Sequence, residues 1–230
     1  MKFGSITTDI VADGLVFNMD AANRASYPKT GTTATNTINN TAGTLSSSPT
    51  FNPNTGSGVF DMDGTDYIYF SSFTDLPTGN STYTLSAWIN PDSGYGHAGI
   101  IGYGNYGSTS ETNAFRLRGS DQQLRNYWWG NDIGIVIGDI SNTWNYAVAT
   151  YDGTNRRLYL NGADIGGDTP STPNFGNTTV TFGKTYTSEY FPGSIGPTHI
   201  YNRALSSTEV LHTKHTQPVS YTHLTLPTKA

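Results

Sequence analysis

Residues 144–162, WNYAVATYDGTNRRLYLNG, contain the pattern that decides the fold of this chain. The first eight residues alternate so that both faces carry side chains able to pack, as in a strand that is buried on its two sides. Residues 152–155 (DGTN) then supply a turn, because Asp and Asn bond nearby backbone groups and Gly adopts positive φ without penalty. A second strand over residues 157–161 places its leucines inward and Arg157 and Tyr159 outward, and it ends in another turn signal, Asn-Gly. The stretch therefore predicts two consecutive hairpins, which form a β-meander.

The composition is that of one globular, β-rich domain. The 230 residues include 26 glycines, and charged residues make up only 13% of the chain. The formal net charge is −5 and no basic cluster is longer than two residues, so we predict no nucleic-acid partner. The absence of cysteine excludes disulfides and thiolate metal sites. No apolar run is long enough to span a bilayer, so we predict no membrane partner.

Other segments extend this pattern along the chain in a fixed order. They are GLVFNMDAAN from Gly14, VFDMDGTDYIYF from Val59, YTLSAWINPD from Tyr83, NYWWGNDI from Asn126 and YNRALSSTEV from Tyr201. With the meander they resemble the laminin-G-like branch of the concanavalin A-like lectin/glucanase superfamily, over about residues 10–212. The resemblance implies an all-β fold, a concanavalin A-like jelly-roll sandwich of two antiparallel sheets. The first segment and NRALSSTEV also resemble the corresponding segments of this domain in tailed-phage structural proteins.

The domain organisation follows from these segments. We predict a single laminin-G-like, concanavalin A-like domain over residues 1–213, because no linker or repeat divides it. About a dozen short strands are expected, at residues 15–19, 58–62, 66–70, 83–90, 99–103, 114–118, 123–128, 133–137, 144–151, 157–161, 178–183 and 193–201. The polar stretch 30–54 is predicted to be a long loop with at most one short strand. A helix is predicted from Ser206, which forms a capping box with Glu209.

Both ends of the chain carry separate signals. Polar residues interrupt the N-terminal segment MKFGSITTDIVADG, so we predict no cleaved export signal. The C-terminal segment VSYTHLTLPT resembles the translation of a transposase-type sequencing adaptor. Residues 214–230 are therefore interpreted as a non-native tail, with a genuine final strand as the alternative.

The carboxylates argue against a hydrolase of this superfamily. Related β-glucanases carry Glu-x-Asp-x-Glu on one strand, so that a nucleophile and an acid/base project from one face. Here Glu111, Glu189 and Glu209 lie far apart, and none has an acidic residue two positions away. We therefore predict that the protein is not an enzyme. A carbohydrate-active hydrolase that uses Asp61 or Asp63 remains a third hypothesis.

The resemblance also raises calcium as a cofactor. Related domains bind calcium through an aspartate near the first strand and a downstream loop rich in oxygen ligands. Asp20 matches the first position, and Asn36 and Asn39 lie in the loop, where Asn36 replaces the usual acidic ligand. No cofactor is certain from the sequence, and a calcium site competes with the ordinary use of such side chains to cap turns.

Two further polar positions are predicted to have structural roles rather than roles in binding or catalysis. Asp63-Gly64, within the acidic segment DMDGTDY, is expected to form the hairpin turn between two strands. His199 lies in a predicted strand and is expected to face solvent or a neighbouring loop.

Aromatic residues provide the main indication of a ligand. Sugar rings stack on aromatic platforms while neighbouring polar groups bond their hydroxyls. Consecutive aromatics must project to both faces of a strand, and Gly-rich loops bring tyrosines beside amides. The predicted ligand-binding residues are Tyr95, Tyr103, Asn105, Tyr106, Tyr127, Trp128, Trp129 and Asn131. The competing interpretation is that these aromatics fill the core and cover sheet edges.

Three functional hypotheses follow from the sequence. The first is a non-catalytic recognition module that binds a glycan or cell-surface carbohydrate, on a phage virion or another extracellular assembly. The second is a purely structural decoration module that contacts other virion proteins. The third is the hydrolase described above.

Overall fold

A computed structural model of the protein describes residues 10–55, 58–176 and 178–216. Within these residues the chain forms sixteen strands and one α-helix. In chain order they are β1 (Leu15–Met19), β2 (Thr33–Thr35), β3 (Ala42–Ser46), β4 (Thr50–Asn52), β5 (Val59–Asp63), β6 (Tyr67–Phe70), β7 (Tyr83–Pro91), β8 (His97–Gly104), β9 (Thr112–Arg118), β10 (Gln123–Tyr127), β11 (Ile133–Val136), β12 (Asn145–Tyr151), β13 (Arg156–Leu160), β14 (Ala163–Asp168), β15 (Val180–Phe182), β16 (Pro192–Tyr201) and α1 (Ser207–Thr216).

The strands form two antiparallel sheets, which confirms the predicted jelly-roll sandwich. The described part of the first sheet has the order β14-β13-β12-β7-β16-β5-β4, with β1 also paired to β16. The described part of the second has the order β11-β10-β9-β8-β15-β6-β3-β2. Strand β16 is ten residues long, and its first half pairs with β5 while its second half pairs with β1. The predicted meander is confirmed, because β12, β13 and β14 pair in succession.

Two apolar clusters explain why β12 is buried on both faces. The main core lies between the sheets and includes Ala147 and Ala149. The second cluster lies on the opposite face of the first sheet, where Tyr146 and Val148 pack with Val210 of α1. Alternate residues of β12 thus pack into two separate apolar clusters, as its sequence predicts.

The second cluster buries two residues whose side chains were predicted to lie outside the main core. Tyr159 points outward from the main core as predicted, and on that face it is buried in the second cluster. His199 is fully buried beside Ser86 instead of facing solvent or a loop. Both follow from one fact: apolar residues of the C-terminal segment, such as Leu205 and Val210, cover this face of the first sheet.

The strand predictions are correct to within two residues at each end, but four strands were missed. Strands β2, β3 and β4 lie in the stretch 30–54 that was predicted as a loop, and β14 follows the second turn of the meander. The predicted Asp63-Gly64 hairpin is wrong, although the turn exists and Gly64 has φ of 87°. The two strands that it joins, β5 and β6, belong to different sheets.

The predicted capping box is present at the start of α1. The Ser206 hydroxyl accepts a hydrogen bond from the Glu209 N–H at 3.3 Å, and the Ser206 N–H donates to Glu209 Oε2 at 2.8 Å. The helix continues to Thr216, three residues beyond the predicted end of the domain. The predictions for the N-terminal segment and for the tail fall largely on residues 1–9 and 217–230, which lie outside the described residues. None of the helices in the described ranges is long and apolar enough to cross a membrane.

Candidate functional site

The outward face of the second sheet carries a row of aromatic and hydroxyl side chains. In β6 the alternation Tyr-Ile-Tyr-Phe buries Ile68 and Phe70 in the main core, so Tyr67 and Tyr69 project to the other face. Tyr69 pairs across the sheet with Thr181 of β15. The strand period thus places two rings and a hydroxyl side by side on a face that the helix does not cover.

Tyr106 and Tyr186 extend this row from two loops. Thr181 pairs with Gly102 in β8, and a Cβ atom at Gly102 would lie only 2.2 Å from the hydroxyl oxygen of Tyr106. Glycine is therefore required at this position for Tyr106 to lie against the sheet. The ring centroids of Tyr106 and Tyr186 are 5.6 Å apart, and Tyr186 is 38% exposed.

Together these residues form an open groove of about 460 Å³. This volume falls within the range of small-ligand sites, about 300–1,000 Å³. Its lining consists of tyrosine, threonine and serine side chains and one lysine, Lys184. Thr181 Oγ1 lies 2.7 Å from the backbone oxygen of Lys184 and 3.1 Å from that of Gly102, which ties the loop after β15 to the sheet. The groove therefore combines apolar ring faces with hydroxyl groups.

Lys184 is held in the groove by two aromatic rings. Its Nζ lies 4.4 Å from the centroid of Tyr67 and 4.6 Å from that of Tyr190. Both distances are within the range of cation–π attraction. The ammonium group therefore has a defined position although the side chain is only partly buried.

A buried ion pair supports one wall of the groove. Arg116 pairs with Glu189, and the Thr185 hydroxyl donates to the second Glu189 oxygen at 2.6 Å. Burial by itself raises the pKa of Glu189, but the hydrogen bonds from Thr185 and Arg116 and the charge of Arg116 hold it below the usual range. His97 Nδ1 also lies 3.2 Å from Glu189. Glu189 is thus fully engaged in fixing the loop that carries Thr185 and Tyr186.

Two of the predicted ligand-binding residues border the groove. Trp129 lies 5.0 Å from Tyr186 and 5.6 Å from Tyr127, measured between ring centroids, and Tyr106 lines the groove directly. Trp129 has φ of 60°, a left-handed conformation that is costly for a bulky residue. Such strain is concentrated at functional sites, because the surrounding structure must stabilise it. With this backbone conformation the ring of Trp129 lies beside Tyr186.

Most of the other predicted aromatics are packing residues. Trp128 and Tyr103 lie in the main core, where Trp128 Nε1 donates to the Tyr83 hydroxyl at 3.2 Å and the Tyr103 hydroxyl donates to Pro77 O at 3.1 Å. Their burial corrects the expectation that their rings face a ligand. Tyr95 is also in the main core cluster.

The remaining predicted side chains are engaged by their neighbours. The ring of Tyr127 is covered by Arg116, whose Cζ lies 4.3 Å from its centroid. Asn105 Nδ2 donates to Glu111 Oε2 at 3.0 Å. Asn131 Nδ2 donates to Ser110 Oγ at 3.2 Å and to the backbone oxygen of Ser171 at 3.1 Å. These amides brace loops, and their role toward a ligand stays a prediction.

The groove residues that the sequence interpretation missed include Tyr67, Tyr69, Thr181, Lys184 and Tyr186. A signal was present for the first two, because Tyr-x-Tyr alternating with buried apolar residues places both rings on one outward face. The other three have no such signal, since they join the groove only through strand pairing and loop placement.

Asn36 and Asn39, two of the predicted calcium ligands, are hydrogen-bonded to each other, but their side-chain oxygens accept hydrogen bonds from neighbouring donor groups. Asn36 Nδ2 donates to Asn39 Oδ1 at 2.9 Å. Asn36 is buried, and its Oδ1 accepts hydrogen bonds from the N–H groups of Asn18 and Ile38 at 3.0 and 3.1 Å. Asn39 Oδ1 also accepts from Thr41 N–H at 3.1 Å and from the Thr41 hydroxyl at 2.7 Å. Both amide oxygens are therefore already used to shape the loop.

Asp20 caps a local turn. Its Oδ1 accepts from the Ala22 N–H at 2.9 Å. Burial raises the pKa of Asp20, and the Ala22 hydrogen bond and the charge of Lys29 oppose this only in part. Calcium requires about six to eight oxygen ligands. Within the described ranges no group of three His, Cys, Asp or Glu side chains is arranged to hold a metal. The donor set does not fit calcium, and we assign no calcium to these residues.

The fold and the open groove define a lectin-like β-sandwich. The family profile described as the concanavalin A-like lectin/glucanases superfamily, of laminin G type, matches residues 62–211. The chain therefore belongs to this superfamily. A comparison with curated proteins gives no match.

Solved structures with the same fold include one domain of an arabinanase and two toxin binding domains. Domain 4 of AbnA, a GH43 extracellular arabinanase from Geobacillus stearothermophilus solved with arabinotriose, has a TM-score of 0.67 and 16% identity over 86% of this chain and 97% of that one. The binding domain of Paraclostridial Mosquitocidal Protein 1 has a TM-score of 0.66 and 18% identity over 86% of this chain. The binding domain of botulinum neurotoxin serotype D has a TM-score of 0.65 and 13% identity over 90%. The chain spans 51% and 52% of the two toxin chains, and likeness at these identities shows the fold alone.

Proposed function

We propose that the protein is a non-catalytic recognition module that binds carbohydrate in the groove on the second sheet. The observation that carries this proposal is the row of ring faces and hydroxyls formed by Tyr67, Tyr69, Tyr106, Tyr186 and the threonines beside them. Sugar rings have apolar faces that stack on aromatics and hydroxyls that pair with polar groups, so they match this lining. The arabinotriose complex of a domain with the same fold adds support by analogy.

The composition of the groove favours binding over hydrolysis. Glycosidases of the common types need two carboxylates flanking the scissile bond. The groove is lined by tyrosine, threonine, serine and lysine side chains, and the nearby Glu189 is engaged by Arg116 and Thr185. Asp61 lies on the first sheet, where it accepts hydrogen bonds from Asn52 and Ser194. These contacts support a structural role for both carboxylates.

The biological setting is a separate part of the proposal. The resemblance of the first segment and of NRALSSTEV to tailed-phage structural proteins favours a virion or another extracellular assembly. Sequencing the flanking genes tests this directly. Capsid, tail or fibre genes would support the virion setting, whereas neighbours without any such gene would contradict it.

A glycan array tests the carbohydrate function. The wild-type protein is compared with Tyr69→Ala, which removes one ring of the groove, and with Val136→Ala. Val136 is 67% exposed on β11 at the far edge of the same sheet, so its truncation controls for general loss of surface area. We expect the wild type and Val136→Ala to bind the same saccharides, and Tyr69→Ala to lose them.

Two outcomes would contradict the proposal. Absence of binding to every saccharide would refute the carbohydrate function. Co-purification with particle proteins would then favour the structural decoration module. Release of sugar from any glycan, abolished by Asp61→Asn, would instead establish a hydrolase.

A further inference from the structure

The charge of the groove narrows the class of saccharide. Among the described residues that line the groove, Lys184 is the one charged side chain. Six arginines of the described chain pair with carboxylates: Arg116, Arg118, Arg125, Arg156, Arg157 and Arg203. Within the described residues no ion pair involves Lys184. In a protein of net charge −5, the groove therefore presents a cation that has not been neutralised internally.

The position of this cation suits recognition of an anion. The rings of Tyr67 and Tyr190 hold the ammonium group at 4.4 and 4.6 Å, which fixes its location without using its three N–H donors. Fixing a long side chain in advance lowers the entropy lost when a ligand binds. Tyr69 and Tyr186 meanwhile remain in the groove lining for contact with a sugar ring.

We infer that the groove prefers acidic saccharides, whose carboxylate or sulfate group pairs with Lys184 while the sugar ring contacts the tyrosines. The inference rests on the proposed function, since it assumes that the groove binds sugar. The formal charge that the described lining residues carry is positive, so an anionic sugar gains a charge-assisted hydrogen bond that a neutral sugar lacks.

Matched ligands and matched variants test the preference by calorimetric titration. Oligogalacturonate is compared with its methyl ester, which masks the carboxylate on the same sugar, and dextran sulfate is compared with dextran. Each is titrated into the wild type, Lys184→Gln and Lys184→Arg. The first ligand pair tests carboxylate and the second tests sulfate as the source of the anionic group.

We expect the wild type to bind at least one acidic ligand about two- to fivefold more tightly than its neutral counterpart at low salt, which is the size of effect that a partly exposed ion pair gives. Lys184→Gln should abolish this difference and Lys184→Arg should retain most of it. High salt should reduce the preference in the wild type, because it screens exposed charges.

The possible failures are distinguishable. Equal binding of acidic and neutral ligands by the wild type, sensitive to Tyr69→Ala, would overturn the acidic preference and leave the glycan site intact. A preference that survives in Lys184→Gln would show that another group binds the anion and would also overturn the inference. Absence of binding to all four ligands, together with a negative glycan array, would overturn the proposed function itself.

Discussion

Replacing Arg156 with methionine should destabilise the protein severely, although its neighbour Arg157 can be replaced with little effect. Arg156 is fully buried and donates two hydrogen bonds to Asp168, at 3.0 and 2.7 Å. It also donates to two backbone oxygens at 3.2 and 3.0 Å, and its Cζ lies 4.1 Å from the centroid of Trp128. Removing one partner of a buried ion pair costs about 3–5 kcal/mol. Asp168 is 34% exposed and can be rehydrated, which favours the lower end, about 3 kcal/mol.

The neighbouring arginine is a matched control on the same strand. Arg157 is 50% exposed and lies 3.4 Å from Asp164, so its loss should cost less than about 1 kcal/mol. For a domain of this size 1 kcal/mol shifts Tm by about 2–4 °C. Thermal unfolding should therefore show a decrease of about 6–12 °C for Arg156→Met and of less than about 4 °C for Arg157→Met. Equal shifts for the two variants would refute the assignment of Arg156 to the core.

Three further predictions concern the groove, a buried histidine and the helix. Gly102→Ala should weaken saccharide binding severalfold, measured by titration, because the new Cβ would lie 2.2 Å from the Tyr106 hydroxyl oxygen and displace that ring; unchanged affinity would contradict the geometry. Burial lowers the pKa of His199 to about 3, so the unfolded chain is protonated first and stability is lost as the pH falls from about 6.5 toward 3. In urea unfolding, His199→Gln should lose less stability between pH 7 and 4.5 than the wild type does. Equal losses in the two proteins would disprove the effect. Ser206→Ala should cost about 1 kcal/mol by removing the cap of α1, and an unchanged Tm would count against it.

The fold could be predicted wherever a strand is buried and bounded by turn residues. The alternation of β12 and the turns of the meander are local signals, and they gave the correct strands. Strands β2 and β4 have only three residues each, and they are stabilised by pairing with β3 and β5 rather than by their own pattern. The turn at Gly64 shows the same limit, because turn chemistry does not determine which strand is the partner.

The site could be predicted only in part, for a related reason. Consecutive aromatics such as Tyr127, Trp128 and Trp129 stand out in a sequence, but register decides which ring enters the core. Trp128 does so, whereas Trp129, whose backbone is left-handed, lies beside Tyr186. Tyr69 and Tyr186 are more than a hundred positions apart in the sequence, and only the pairing of β6 with β15 brings their elements together.

Isothermal titration of the saccharide selected by the glycan array, into the wild type and Tyr69→Ala, tests the central claim most directly. Aromatic residues at the centre of a binding site contribute about 2 kcal/mol or more, so we expect an increase in Kd of about thirtyfold or more for Tyr69→Ala. Val136→Ala should bind like the wild type. An unchanged Kd for Tyr69→Ala in a folded protein would contradict the claim that this groove is the carbohydrate site.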